Sequence, residues 1–173
     1  VIADEKNKVY LRPETAQGIF VDFKDVLRTS RMKLPFSICQ IGKAFRNEIT
    51  PGNFIFRTRE FEQMECEWFV KTDEEADQVF ETQLAKIQSF LRDVIGLKDE
   101  NVKLHEHSKD DLSPYSKRTI DAQYNFPHGF AELWGLANRQ QFDLGQHEKF
   151  SKAGMYYLED DGTKITPYVI EPS

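Results

Sequence analysis

From Ala16 onward the apolar positions fall at helical spacing: Ala16, Ile19, Phe20, Phe23, Val26 and Leu27. That stripe predicts an amphipathic helix over residues 14–31. Ahead of it, residues 9–12 read as a short strand stopped by Pro13. Beyond Pro35 the period shortens. Residues 37–48 and 56–70 read as strands, and the Pro51-Gly52 pair between them is a turn signal. A long antiparallel hairpin over about residues 37–70 is therefore expected. Thr72-Asp73-Glu74-Glu75 has the capping-box form. The helix it opens should run to about Ile95, with Ala76, Val79, Phe80, Leu84, Ile87, Phe90, Leu91 and Val94 on one stripe. Gly96 then serves as its C-terminal cap. Further strands are predicted at residues 102–107, 119–124, 132–137 and 156–158. Asp160-Asp161-Gly162 turns into a last strand over residues 164–170. Antiparallel strands interrupted by a few helices indicate an α+β fold, an antiparallel β-sheet flanked by helices.

A chain of 173 residues, 39% of them hydrophobic, suits one globular domain with its own core. The fourteen phenylalanines argue against disorder. The net charge of -6 excludes a general nucleic-acid coat, because neutralising phosphates takes a basic surface. Contact with nucleic acid must then be local. Cys39 and Cys66 form no Cys-x-x-Cys pair, so neither a zinc knuckle nor a redox motif is supported. A reducing, intracellular setting is the simplest reading. No apolar run approaches transmembrane length and no signal peptide opens the chain. It starts at Val1 without Met and stops after Glu171-Pro172-Ser173, and both ends read as cuts in a larger protein.

The hairpin carries the candidate chemistry. Alternate strand residues point to opposite faces. One face of the second strand carries Arg57, Arg59, Phe61, Gln63 and Glu65; on the first strand Gln40, Gly42, Ala44, Arg46 and Glu48 share a face. Small residues at 42 and 44 should leave room above the sheet. Arginine offers a fork of donors matched to phosphate oxygens. A phenyl ring can stack under a purine, with an arginine on the purine's other side. A carboxylate can accept from an exocyclic amine. The set suits a nucleotide; the alternative is a solvated face whose charges pair with one another.

Phe45-Arg46-Asn47-Glu48, an eight-residue loop and Arg57-Thr58-Arg59-Glu60-Phe61 resemble motif 2 of class II aminoacyl-tRNA synthetases. Residues 11–18, Leu-Arg-Pro-Glu-Thr-Ala-Gln-Gly, resemble the dimeric glycyl-tRNA synthetase family. So do the Glu62-Gln63-Met64-Glu65 continuation, residues 129–135, Phe142-Asp143-Leu144 and residues 168–173. The resemblance implies a class II catalytic core and an enzyme that activates glycine with ATP and transfers it to tRNA(Gly). It implies that Arg46 holds the α-phosphate, that Phe61 stacks on adenine and that Glu48 sits near the adenine amine or the tRNA end. Asn47, Phe56 and Arg57 would complete that side, with Glu132 and Leu133, where Glu132 would hold Mg²⁺. Glu14, Glu65 and Glu171 would surround the glycine ammonium, with Phe61, Gln63 and Ser173 beside them. The loop of residues 49–54 would meet the tRNA acceptor end.

The acids also have a physical reading. Several carboxylates converging in a buried pocket need a positive guest, and an α-ammonium is one. Glycine must be chosen by excluding an added methyl group. Taken singly, Glu14 can merely favour a helix N-terminus and Glu171 can be a surface acid. The resemblance makes residues 1–173 a single partial catalytic domain, without motif 1, most of motif 3 or the anticodon-binding domain. It implies a cytoplasmic homodimer for the complete protein. Residues 145–154 read as short for that family. Two other readings stay open: a related synthetase for threonine, proline or histidine, and a non-catalytic nucleic-acid-binding accessory protein on the same scaffold. His105 and His107 share a strand face without a third metal ligand nearby. His128 falls in a turn and His147 in a polar stretch.

Overall fold

The computed structural model describes residues 8–173; residues 1–7 of the expected domain lie outside the described residues. Strands β1 (Phe36–Phe45), β2 (Glu60–Val70), β3 (Val102–Glu106), β4 (Arg118–Phe126), β5 (Gly129–Gln140) and β8 (Tyr168–Pro172) form one six-stranded sheet. Its order is β1-β2-β8-β5-β4-β3, and its paired strands are antiparallel. Strands β6 (Tyr157–Leu158) and β7 (Lys164–Ile165) make a separate two-stranded ribbon. Helices α1 (Ala16–Ser30) and α3 (Phe142–Ser151) cover one face, and α2 (Asp73–Ser89) covers the other.

Strand alternation creates the two cores. Val169 of β8 joins Ile19, Phe20, Phe23, Phe36, Phe69 and Leu144 on the α1 side. Its neighbour Ile170 joins Val70, Phe80, Ile87, Ile120 and Leu136 under α2. Phe23, Phe36 and Phe69 lie with ring centroids 4.8 to 6.2 Å apart. Burying each ring contributes roughly 1.5–3 kcal/mol. Helix α2 starts as expected: the Thr72 hydroxyl accepts from Glu75 N and the Glu75 carboxylate accepts from Lys71 N. It ends in a π-helical turn, Phe90–Val94, before Gly96 at φ 78°.

Several expectations need correction. Residues 9–12 are not a strand. Val9, Tyr10 and Leu11 are exposed, so no apolar face rewards pairing, and a single backbone bond, Phe45 N to Arg12 O, ties this stretch to β1. The hairpin exists, but its continuous ladder stops at Phe45 and Glu60. Beyond it lie one bond from Arg46 N to Arg59 O and a tip closed by Gly52 and Arg57. Asn53 and Phe54 turn the tip at positive φ. The predicted strand over residues 164–170 is two strands, because Pro167 has no N–H to continue a ladder. Helix α3 was not anticipated at all. Cys39 and Cys66, far apart in sequence, are direct partners across β1 and β2 and form a disulfide, with 4.0 Å between their Cα atoms.

Candidate active site

The α1 side of the hairpin presents Ala44 opposite Phe61, Gly42 opposite Gln63 and Gln40 opposite Glu65. Arg46 follows at the end of β1, and its guanidinium lies 5.2 Å from the Phe61 ring centroid. Arg46 Nε donates to Pro13 O at 3.1 Å. Arg46, Phe61 and Glu65 therefore share one surface. The space expected above Gly42 is filled by Arg12: a Cβ at residue 42 would come within 2.2 Å of Arg12 Nη2. Arg12 Nε donates to Lys43 O at 2.5 Å, and the Gln40 amide, suitably oriented, joins Arg12 to Thr15 O.

One cavity opens on this surface. A cleft of about 620 Å³ is lined by Arg46, Glu48, Phe56, Arg57, Phe61, Glu132 and Leu133, among others. Arg57 reaches Glu48 at 3.5 Å, and Arg59 Nε donates to Glu48 O at 3.0 Å. Asn47, between Arg46 and Glu48 in the chain, is exposed and does not line the cleft. Burial and the nearby Asp121 raise the Glu132 carboxyl above its ordinary value, while Arg46 and His107 pull it down. Glu132 reaches solvent, but from the floor of a walled cleft, so both its exposure and its partial desolvation hold. His107 Nε2 lies 2.8 Å from Asp121, whose carboxylate raises the imidazole. His105 packs beside His107, but among the described residues no three metal-ligating side chains cluster.

A second cavity, about 610 Å³, opens mainly on the opposite face, with Cys39, Ile41, Met64, Cys66, Trp134 and Pro172 in its lining; Gln63, Glu65 and Ser173 border it from the sheet. It opens where β8 stops pairing with β2. A β-bulge at Leu133 lets Trp134 pair with Ala122 and Glu132 with Gln123. That reverses the alternation and swings Glu132 toward Gly135. Ser173 and Gly135 exchange two backbone bonds, and a Cβ at residue 135 would lie 3.1 Å from Glu132 Oε1 and 3.2 Å from Ser173 Oγ. Gln63 Oε1 is buried without a hydrogen-bond partner among the described residues.

Glu14 and Glu171 stand one layer behind. The expected convergence of acids is present, but its cation is internal. Arg139 at the end of β5 is 2% exposed. It donates to Asp143 at 2.7 and 2.9 Å and to Glu171 at 2.6 Å, and it reaches Glu14 at 3.5 Å. Gln17 donates to Glu14 and Asp143 and meets His147. Glu65 is held by the Thr15 hydroxyl and the Ala16 N–H at the start of α1; burial still raises its carboxyl. Glu14 thus does stand at the helix N-terminus, as its reading taken singly has it, and Glu65 joins it there through Thr15 and Ala16.

A family model described as "tRNA synthetase class II core domain (G, H, P, S and T)" matches residues 1–171. The chain belongs to the class II tRNA synthetase core family. Similar curated proteins are named glycine--tRNA ligase: the Malacoplasma penetrans protein is 55% identical over the whole chain, and that of Ureaplasma parvum serovar 3 is 59% identical. The chain spans 37% of the length of each. Two solved prolyl-tRNA synthetases share the fold. That of Cryptosporidium parvum, complexed with L-proline and AMP, has a TM-score of 0.72 at 20% identity over 99% of this chain and 36% of that one. That of Giardia lamblia, in complex with prolyl-adenylate, has 0.73 at 18% identity over 99% and 34%.

Four residues of this synthetase core escaped the sequence reading: Arg139, Asp143, Thr15 and Glu67. Glu67 was one step away, since alternation from Glu65 puts it on the same face. No helix is long and apolar enough to cross a membrane among the described residues.

Proposed function

We propose that the complete protein is a glycine--tRNA ligase and that this chain is the part that forms glycyl-adenylate. The observation that carries the reading is one sheet face that sets the Arg46–Phe61 cleft beside Gln63, Glu65 and, next to Glu132, Ser173. The relatives named glycine--tRNA ligase favour glycine over threonine, proline or histidine. The accessory-protein reading gains nothing, because Arg46, Phe61 and Glu65 are all retained and share a face.

ATP lies in the cleft with its adenine against Phe61 and Phe56, near Glu48, and its α-phosphate against Arg46. Glycine places its ammonium toward Glu65 and the acids ordered by Arg139, with Gln63 Oε1 as a ready acceptor. The glycine carboxylate attacks the α-phosphorus and pyrophosphate leaves. The attacking oxygen is already ionised, so this step needs no general base. Positioning and neutralisation of negative charge supply the catalysis. Mg²⁺ is held by few protein carboxylates plus substrate phosphates, and Glu132 fits that role. It is a carboxylate on the cleft floor with Asp121 beside it. The ion supplies positive charge to the phosphates when bound. In the second step the terminal hydroxyl of the tRNA acceptor end attacks the adenylate carbonyl, guided by the exposed loop of Ile49, Phe54 and Ile55; the acyl–phosphate bond breaks and AMP leaves, its phosphate taking the hydroxyl proton. The complete protein acts as a cytoplasmic homodimer.

A non-hydrolysable glycyl-adenylate analogue tests this reading. It should raise the melting temperature of the full-length protein more than the alanyl or prolyl analogue does. Equal shifts with all three would overturn it.

A further inference from the structure

Glu67 is the one acid of the cluster around Arg139 that no donor serves among the described residues. It is 0% exposed, and neither carboxyl oxygen accepts a hydrogen bond among the described residues. It sits on β2 between Glu65 and Phe69, opposite Ile38 of β1. Because Trp68 pairs with Ile170, the register sets Glu67 beside Glu171 of β8.

The charges around it come from several elements. Glu65 stands on its own strand, Glu171 on β8 and Arg139 on β5. Behind Arg139 are Asp143 of α3 and Glu14 ahead of α1. The facing β1 residue, Ile38, carries no charge. One arginine thus already serves Glu171, Asp143 and Glu14. A fifth buried anion would face a carboxylate with no N–H to turn to, which is costly. A carboxyl group that keeps its proton changes the same contact into an O–H donated to Glu171. The proton belongs on Glu67 rather than Glu171, because Arg139 Nη1 already donates to Glu171 Oε2.

We propose that Glu67 is a positioning residue of the amino-acid pocket: un-ionised at neutral pH, it donates its proton to Glu171 and locks that carboxylate against Arg139. Glu171 then keeps a fixed orientation toward the ammonium of the amino acid. Burial and the facing Glu171 both push the Glu67 carboxyl well above the usual carboxylate range, in the same sense. The proposal rests on the reading of this pocket as the glycine site.

The test uses the full-length protein with E67Q and E67L. Infrared difference spectra against E67Q report the protonation state without any substrate. They should show the carbonyl band of an un-ionised carboxyl group in the wild type at neutral pH. In glycine-dependent ATP–pyrophosphate exchange, E67L should raise the glycine KM by about tenfold, the size of one lost hydrogen bond. The loss should fall on the glycine KM rather than on kcat or the ATP KM. E67Q keeps an N–H donor and should recover most of that loss. Three outcomes overturn the proposal: a carboxylate band in place of the acid band, E67Q as impaired as E67L, or a folded E67L with the wild-type glycine KM. If E67L does not fold, the infrared band and the glycine KM of E67Q decide the matter. An acid band together with exchange driven by another amino acid would sink the glycine reading and leave the Glu67–Glu171 contact standing.

Discussion

Arg139 Nη1 donates to Glu171 Oε2 at 2.6 Å, joining the last residues of β5 to those of β8 inside the protein. The same guanidinium holds Asp143 at the start of α3 through two further bonds. Arg139→Leu would leave these acids buried without a counter-charge. Breaking such a pair from one side costs about 3–5 kcal/mol. Urea denaturation of the full-length protein should show a loss of that order in the domain that contains this chain.

Arg46 is a different kind of arginine. It is exposed, contacts Phe61, and among the described residues its side chain donates only to Pro13 O. Arg46→Ala should leave stability nearly unchanged. Removing one well-placed charge-stabilising donor costs on the order of 3 kcal/mol, or about a hundredfold in rate. Glycine-dependent pyrophosphate exchange should fall at least that far.

The difference between these two arginines shows what was legible in the sequence. Arg46 sits on a strand whose alternation with Phe61, Gln63 and Glu65 can be read directly, and the structure keeps that face intact. Arg139 and Asp143 are four residues apart, but they meet across a strand-to-helix corner. Gln140, at φ 54°, turns that corner, and α3 was not predicted. Helix α3 hid because its apolar residues, Phe142, Leu144 and Phe150, make no stripe; only Asp143 and Leu144 are buried. The bulge at Leu133 was equally silent, so Glu132 could not be placed beside Ser173 by counting. The family resemblance supplied what periodicity lacked for Glu14, Glu171 and Ser173.

Gly135→Ala tests the packing of Glu132 and Ser173 against β5. Its Cβ would press on Glu132 Oε1 at 3.1 Å and Ser173 Oγ at 3.2 Å. Each must give by a few tenths of an ångström. Misplacement on that scale should lower kcat/KM for glycine by about tenfold while moving the melting temperature little.

The pH dependence of glycine binding follows from Glu171. Burial beside Glu65 outweighs the pull of Arg139 and lifts this carboxyl from 4.5 to about 7. An ammonium guest favours the ionised form, so affinity is full above that value and is lost below it. The glycine KM should therefore rise as pH falls through about 7, with the ATP KM flat. The sign for stability is opposite. With the folded value raised, the Glu171 contribution is present below its unfolded value and is lost as pH rises through about 7.

Amino-acid-dependent ATP–pyrophosphate exchange by the full-length protein, run with glycine, alanine, threonine, proline and histidine in parallel, reaches the central claim most directly. Exchange should appear with glycine and be at background with the other four. Exchange driven by any of those four in preference to glycine, or by none of the five, would contradict it.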